Sequence, residues 1–299
     1  MTNQIICQLN PDVPPTGSDL GIVNAARKSF GRRSEWDDVS YSAMTSLMDT
    51  DGVNITDYRF EGYGKSGYYR KLKDKDKRLL EFLIRGMTAD DFDAFVQDTS
   101  EIGLFALTQE SDDEAKAFWD QMVEKLWEWR NTPSHDTPVN HSFFSFEVKA
   151  PIFVARHLVK HEYLIMSEYS RRYITDDVEF YTPEVWRAKA DDVKQGSSTT
   201  LGIYNENDVE VTEYAKYAMD TYTKLIDANV APEQARMVLP QSLMTSWTWS
   251  GTLGAFGNMC KLRLSKDTQY ETRLVAEQVY TELKKQFPVA APMIVEGVF

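Results

Sequence analysis

Between residues 143 and 173 the spacing of apolar positions changes twice, and each change predicts an element. Phe143 and Val148 lie in an apolar run broken by Ser145, Glu147 and Lys149, which reads as a strand. Ala150-Pro151 ends that period, and Pro151 suits the first turn of a helix, where its missing N–H costs nothing. From Ile152 the apolar positions fall at helical spacing: Ile152, Val154, Ala155, Leu158 and Val159. That helix carries Arg156, His157, Lys160 and His161, and a polar segment follows at 167–173.

Other segments yield to the same reading. Residues 71–87 are amphipathic, with Leu79, Leu80, Leu83 and Ile84 inward and a charged start that predicts a solvated face. Residues 209–228 predict a long helix with Tyr214, Ala218, Met219, Tyr222, Leu225 and Ile226 as its apolar positions. A strand is predicted at 244–249, a helix of small residues at 251–261, and a last helix from Asp267 towards Phe287. Residues 19–30 read as a strand entering a helix, with Ser29 at the turn. Residues 1–20 read as an extended or poorly ordered lead-in, 31–70 as a loop or small subdomain, and 190–207 as a polar linker. Residues 88–134, rich in Asp, Glu and Trp, predict at least one helix and read as a peripheral insertion.

Composition narrows the classes. A chain of 299 residues with 42% apolar content can bury a sizeable core. The net charge of −13 argues against general nucleic-acid binding, which needs a basic face, although a few converging arginines can still hold a small anion. No apolar run is long enough to span a bilayer, and no basic-then-apolar leader pattern opens the chain. With Cys7 and Cys260 as the two cysteines, no disulfide framework is expected, and the chain reads as cytoplasmic.

The candidate chemistry lies in arginines and histidines. Arg172, Arg236 and Arg263 are always protonated and offer forked donors, so together they would clamp phosphate and carbonyl oxygens; apart, they would be ordinary surface cations. All four histidines, His135, His141, His157 and His161, lie between positions 135 and 161. His157 and His161 stand i, i+4 with Glu162 adjacent, a spacing that raises metal binding as a rival. The H-E-x-x-H pattern is absent, however, and Lys160 between the pair disfavours a cation, so no metal is predicted. Neither cysteine has a flanking basic cluster, and both read as packing residues.

These residues sit in runs that resemble the flavin-dependent thymidylate synthase family. His135, Thr137, Pro138 and His141 are similar to its H-x-T/S-P-F-E-H, and residues 150–156 repeat A-P-I-F-V-A-R unbroken. Lys160-His161-Glu162, seven residues and then Ser170 match its R-H-R-x7-S spacing, with Arg172 and Tyr173 following. Residues 19–30 are similar to D-x-x-V-x-x-A-A-R-x-S-F, and residues 232–240 to P-x-x-A-R-x-x-L-P. A match this long, with its spacing kept, is far more specific than a short motif. The resemblance implies a substrate site of His157, Glu168, Ser170, Arg171, Arg172 and Arg236 for deoxyuridine monophosphate, with Arg263 catalytic at the uracil edge. It implies FAD near Ser29, His135, Thr137, Lys160, His161, Glu162 and Asn258, and methylenetetrahydrofolate and NADPH as co-substrates. A homotetramer with active sites built from several subunits is implied too.

The departures fall on the cofactor side. R-H-R is K-H-E here, the family's Gln is His157, F-E-H is V-N-H, and its Asn is Ser167. Lys160 keeps charge without the planar fork, while Glu162 reverses it. The expected fold is α+β, one domain over 1–299 with an antiparallel sheet packed against long helices and an extra helical insertion at 88–134. The expected function is flavin-dependent methylation of deoxyuridine monophosphate. A related C5-modifying enzyme (a hydroxymethylase, or one acting on deoxycytidine monophosphate) and a non-catalytic nucleotide-binding homologue remain alternatives.

Overall fold

The computed structural model describes residues 4–48, 58–63, 66–86, 135–170, 172, 178–189, 197–201 and 211–296, with isolated positions between 94 and 124. Arg171 and nearly all of the expected insertion at 88–134 lie outside these residues. In chain order the elements begin with β1 (Ile6–Leu9), α1 (Asp19–Lys28), β2 (Asp37–Ser40), α2 (Tyr41–Met48), β3 (Arg59–Glu61), β4 (Tyr68–Lys71) and α3 (Asp74–Arg85). A 3-10 turn at Thr137–His141 leads into β5 (Phe144–Pro151), α4 (Ile152–Leu158), β6 (Ile165–Glu168), β7 (Arg187–Lys189) and β8 (Ser197–Leu201). Then come α5 (Val211–Asp227), α6 (Pro232–Ala235), a 3-10 turn at Arg236–Val238, β9 (Met244–Gly251), α7 (Leu253–Arg263), α8 (Tyr270–Gln286) and α9 (Ala290–Val295). The fold is α+β, as the sequence predicts.

Contacts along this chain group into two units, one of Met1–Thr16 with Phe143–Gln286, the other of Gly17–Ser142 with Phe287–Phe299. The first is built on a four-stranded antiparallel sheet in the order β1-β5-β9-β6. Its centre is the β5–β9 ladder, in register from Phe144 opposite Gly251 to Pro151 opposite Met244. Phe144, Phe146, Val148, Trp247 and Trp249 are buried there. Phe256 of α7 stands edge-on to both Phe146 and Trp249, with ring centroids 5.0 and 5.2 Å apart. Such edge contacts suit the ring quadrupoles, and truncating Trp249 to Ala would cost about 3–5 kcal/mol. α8 packs on α7 and β1 through Val275, Ala276, Val279 and Leu283, all buried. The Thr252 hydroxyl caps α7 by accepting from the Ala255 N–H.

Pro151 organises one end of the sheet. It closes the ladder and, with φ at −64°, starts α4. The first N–H groups of that helix have no intrahelical partners. The Ile152 N–H donates to the Leu243 carbonyl at 2.9 Å and the Phe153 N–H to Gln241. The start of α4 is thereby tied to the segment that enters β9. Residues 179–181 lie alongside, with Met244 N–H donating to Glu179 O and Tyr181 N–H to Ser242 O, both at 2.8 Å.

The second unit contains the three-stranded antiparallel sheet β2-β4-β3 and helices α1, α3 and α9. Arg70 on β4 is held by Asp38 and Glu61 and lies over the rings of Trp36 and Tyr68. α3 buries Leu80 and Leu83 as expected, and its charged start is solvated at Asp74, Lys75, Lys77 and Arg78 but not at Asp76. Asp76 is fully buried, paired with Arg27 at 2.5 Å and accepting from the Ser34 hydroxyl. A buried carboxylate needs such partners.

Three readings change. Residues 19–28 are helical from Asp19, without a strand, because the Ser18 hydroxyl accepts from Gly21 N–H and caps the first turn. The lead-in contains β1, which pairs with β5 and buries Cys7. The helix read at 71–87 starts at Asp74, since Lys71 is still paired with Asp37 in the sheet. No helix among the described residues is long and apolar enough to cross a membrane.

Candidate functional site

Where β6, α4 and the segment before β9 meet, the first unit carries a cleft of about 670 Å³. Glu168, at the end of β6, reaches its wall because β6 pairs with β9, placing Glu168 opposite Trp247. The Thr245 hydroxyl donates to the Glu168 carboxylate at 2.8 Å and fixes its orientation. Ser170 and Arg172 follow on the same edge, the Arg172 Nε–H donating to the Ser170 hydroxyl at 3.3 Å. Arg236 enters from the short turn after α6, and Arg156 from α4. Ile152, Met166, Met237 and Leu243 supply apolar walls.

Of the predicted substrate residues, Glu168, Ser170, Arg172 and Arg236 thus line one cleft, although Ser170 and Arg236 are 66 positions apart in sequence. Among the described residues, three arginines and one carboxylate line the cleft. Arg156 and Arg236 have no ion pair or side-chain hydrogen bond among the described residues. Such a surplus of forked donors suits a compact anion with several oxygens, a phosphate above all. Arg156, Gln241 and Thr245 line the cleft as well, and the reading of the sequence did not single them out as site residues. For Arg156 a signal existed, its place in the unbroken 150–156 run. For Gln241 and Thr245 none did.

Arg263 and His157 are placed elsewhere in the same unit. Arg263 ends α7 and lines a smaller cavity of about 430 Å³ with Asn258, Lys261 and Asp267. Its Nε–H donates to His161 Nε2 at 2.8 Å. Burial, then Arg263, then His157 push the His161 pKa down to about 4, so this imidazole is neutral at ordinary pH. His157 Nδ1 lies 2.9 Å from the Thr272 hydroxyl, and its pKa is lowered by burial and by Arg263. Lys160 and Glu162 are exposed, and neither has an ion pair among the described residues.

The remaining predicted cofactor residues belong to the second unit. Ser29 caps the end of α1 and donates to the Ala26 carbonyl at 2.9 Å. His135 is exposed and stacks on Phe82, with ring centroids 5.7 Å apart. Thr137 opens the 3-10 turn that His141 closes. Cys7 and Cys260 are both buried in the first unit, and burial pushes both thiols well up, so neither is a thiolate at neutral pH.

Comparison with known proteins gives these features a context. A profile described as thymidylate synthase complementing protein matches residues 71–289. The flavin-dependent thymidylate synthase of Thermus thermophilus is 36% identical over 156 residues, covering 52% of this chain and 57% of that one. Its counterpart in Ehrlichia ruminantium is 35% identical over 169 residues, covering 54% and 56%. The chain therefore spans little more than half the length of these curated relatives. Among solved structures, a UMP/dUMP methylase, PolB from Streptomyces cacaoi bound with 5-Br dUMP, superposes with a TM-score of 0.60 at 23% identity. That likeness covers 97% of this chain and 94% of the other, and it is one of fold.

Proposed function

This chain belongs to the thymidylate synthase complementing protein family, and from that premise we propose that it methylates the fifth carbon of deoxyuridine monophosphate. The observation that carries the reading is the meeting of Glu168, Ser170, Arg172 and Arg236 in one cleft with surplus positive charge. Arg172, Arg236 and the Ser170 hydroxyl bind the phosphate. Arg156, without an ion pair among the described residues, adds positive charge in the same wall. Glu168, oriented by Thr245, borders the ribose and base. Arg263 meets the uracil edge and stabilises the negative charge that builds on its carbonyl oxygen as the proton leaves the fifth carbon.

The donors around the smaller cavity, Asn258, Lys261 and Arg263, suit a flavin dinucleotide, whose ring edge accepts hydrogen bonds and whose diphosphate is anionic. When bound, FAD supplies the reducing chemistry, with methylenetetrahydrofolate as carbon donor and NADPH as reductant. Among the residues of the first unit, His161, Lys160, Glu162 and Asn258 would hold it. Two buried, protonated thiols support a route without a cysteine nucleophile. We place the enzyme in the cytoplasm as a homotetramer in which one subunit completes the site of another.

The test is release of tritium from the fifth carbon of labelled deoxyuridine monophosphate, with FAD, NADPH and methylenetetrahydrofolate present. Release with a product one methyl group heavier supports the proposal. A hydroxymethyl product, or reaction with deoxycytidine monophosphate instead, selects the related-enzyme reading. Nucleotide binding without release selects the non-catalytic one.

A further inference from the structure

A half-buried arginine ordinarily pairs with a carboxylate, which holds it and cancels its charge. Arg263 does not. Its one hydrogen bond among the described residues runs from Nε–H to His161 Nε2, at 2.8 Å. Asp267, the carboxylate of the same cavity, accepts instead from the Ser265 hydroxyl. A guanidinium can only donate, so His161 Nε2 carries no proton, and a neutral imidazole must then carry it on Nδ1. Arg263 and His157 are the charged and titratable groups that act on this ring, and both oppose its protonation. Behind the pair, His157 is itself engaged by Thr272 of α8, so both imidazoles are tied to neighbouring helices.

We propose that His161 is the positioning residue of Arg263: a neutral Nδ1–H imidazole that fixes the Nε edge of the guanidinium and leaves its full charge and its amino groups for the ligand. A carboxylate at this position would give the same grip and remove the charge. This inference rests on the role given to Arg263 under the proposed function. It adds a reason why an imidazole, and no carboxylate, stands at position 161.

Two readouts test it, one independent of turnover. Nitrogen NMR of the histidine-labelled full-length protein, with the His161 signals identified by their loss in His161→Gln, should show an unprotonated Nε2 and a protonated Nδ1 at neutral pH. An Nε2–H tautomer or an imidazolium overturns the proposal. This readout stands even if deoxyuridine monophosphate proves not to be the substrate. In turnover at saturating flavin, His161→Gln keeps a neutral acceptor and should be the most active of three variants at this position. His161→Phe lacks an acceptor, and His161→Glu keeps the grip but quenches the charge. Both should lose about 10–100-fold in kcat with little change in the KM for nucleotide. A His161→Glu enzyme as active as His161→Gln overturns the neutrality argument, and an unaffected His161→Phe overturns the positioning role.

Discussion

In the larger cleft Arg156 and Arg236 have no ion pair among the described residues, whereas in the smaller cavity Arg263 is gripped through its Nε by a neutral imidazole. Both arrangements leave positive charge uncancelled, but they differ in freedom. These cleft arginines sit on short elements, Arg236 on an exposed 3-10 turn and Arg156 on the seven-residue helix α4, and among the described residues have no partner to hold them before an anion arrives. Arg263 sits at the end of an eleven-residue helix with its geometry set in advance. A group that captures a ligand tolerates adjustment. One that must meet charge developing during a reaction gains from being held beforehand, because no reorganisation is then needed in the transition state.

Mutation can break this contrast. The largest effect is expected at Arg263: Arg263→Ala should lower turnover by about 100–1,000-fold while deoxyuridine monophosphate affinity changes far less. Equal losses of rate and affinity, measured by tritium release and equilibrium titration, would erase the distinction between the two cavities. Next, Arg172→Ala and Arg236→Ala should each weaken binding of the monophosphate by about 10–100-fold, the worth of a charged hydrogen bond. Deoxyuridine, which lacks the phosphate, should bind both variants as it binds wild type. A parallel loss for the nucleoside would move these arginines from the phosphate to the base. Smaller still, Thr245→Val removes the hydroxyl that orients Glu168, and a loss of about fivefold in nucleotide affinity is expected from about 1 kcal/mol.

The smallest effect is on stability and lies in the other unit, where Asp19 is buried and accepts from the Val289 and Ala290 N–H groups. Burial raises its pKa to about 6 despite those donors. The native state therefore holds this proton more tightly than the unfolded chain does. The stability it contributes is full below the unfolded pKa near 4 and declines as pH rises towards 6. Asp19→Asn, which does not titrate, should lack that decline. Unfolding curves between pH 4 and 7 that keep the same difference between variant and wild type would refute the assignment.

Much of the first unit was legible in sequence because its signals are local. Alternation marked β5, Pro151 marked the turn into α4, and the apolar spacing of 209–228 marked α5. The second unit was less legible. Its helix α3 buries Asp76, and no local pattern separates a carboxylate that meets Arg27 and Ser34 from one that meets water. In the first unit the exception is β1, whose four residues become a strand only by pairing with β5 from the far side of the sequence.

The site divides in the same way. The sequence by itself determined the residue types and the family, because motif spacing is a local property that survives without a structure. It named Glu168, Ser170, Arg172 and Arg236, and it grouped Arg263 with them. Only the tertiary structure decided that the first four share a cleft, and that Arg263 joins His161 beside a second cavity. The reason is physical: which charges face one another depends on strand pairing and helix ends from distant parts of the chain, and those are fixed only when the core around β5 and β9 closes.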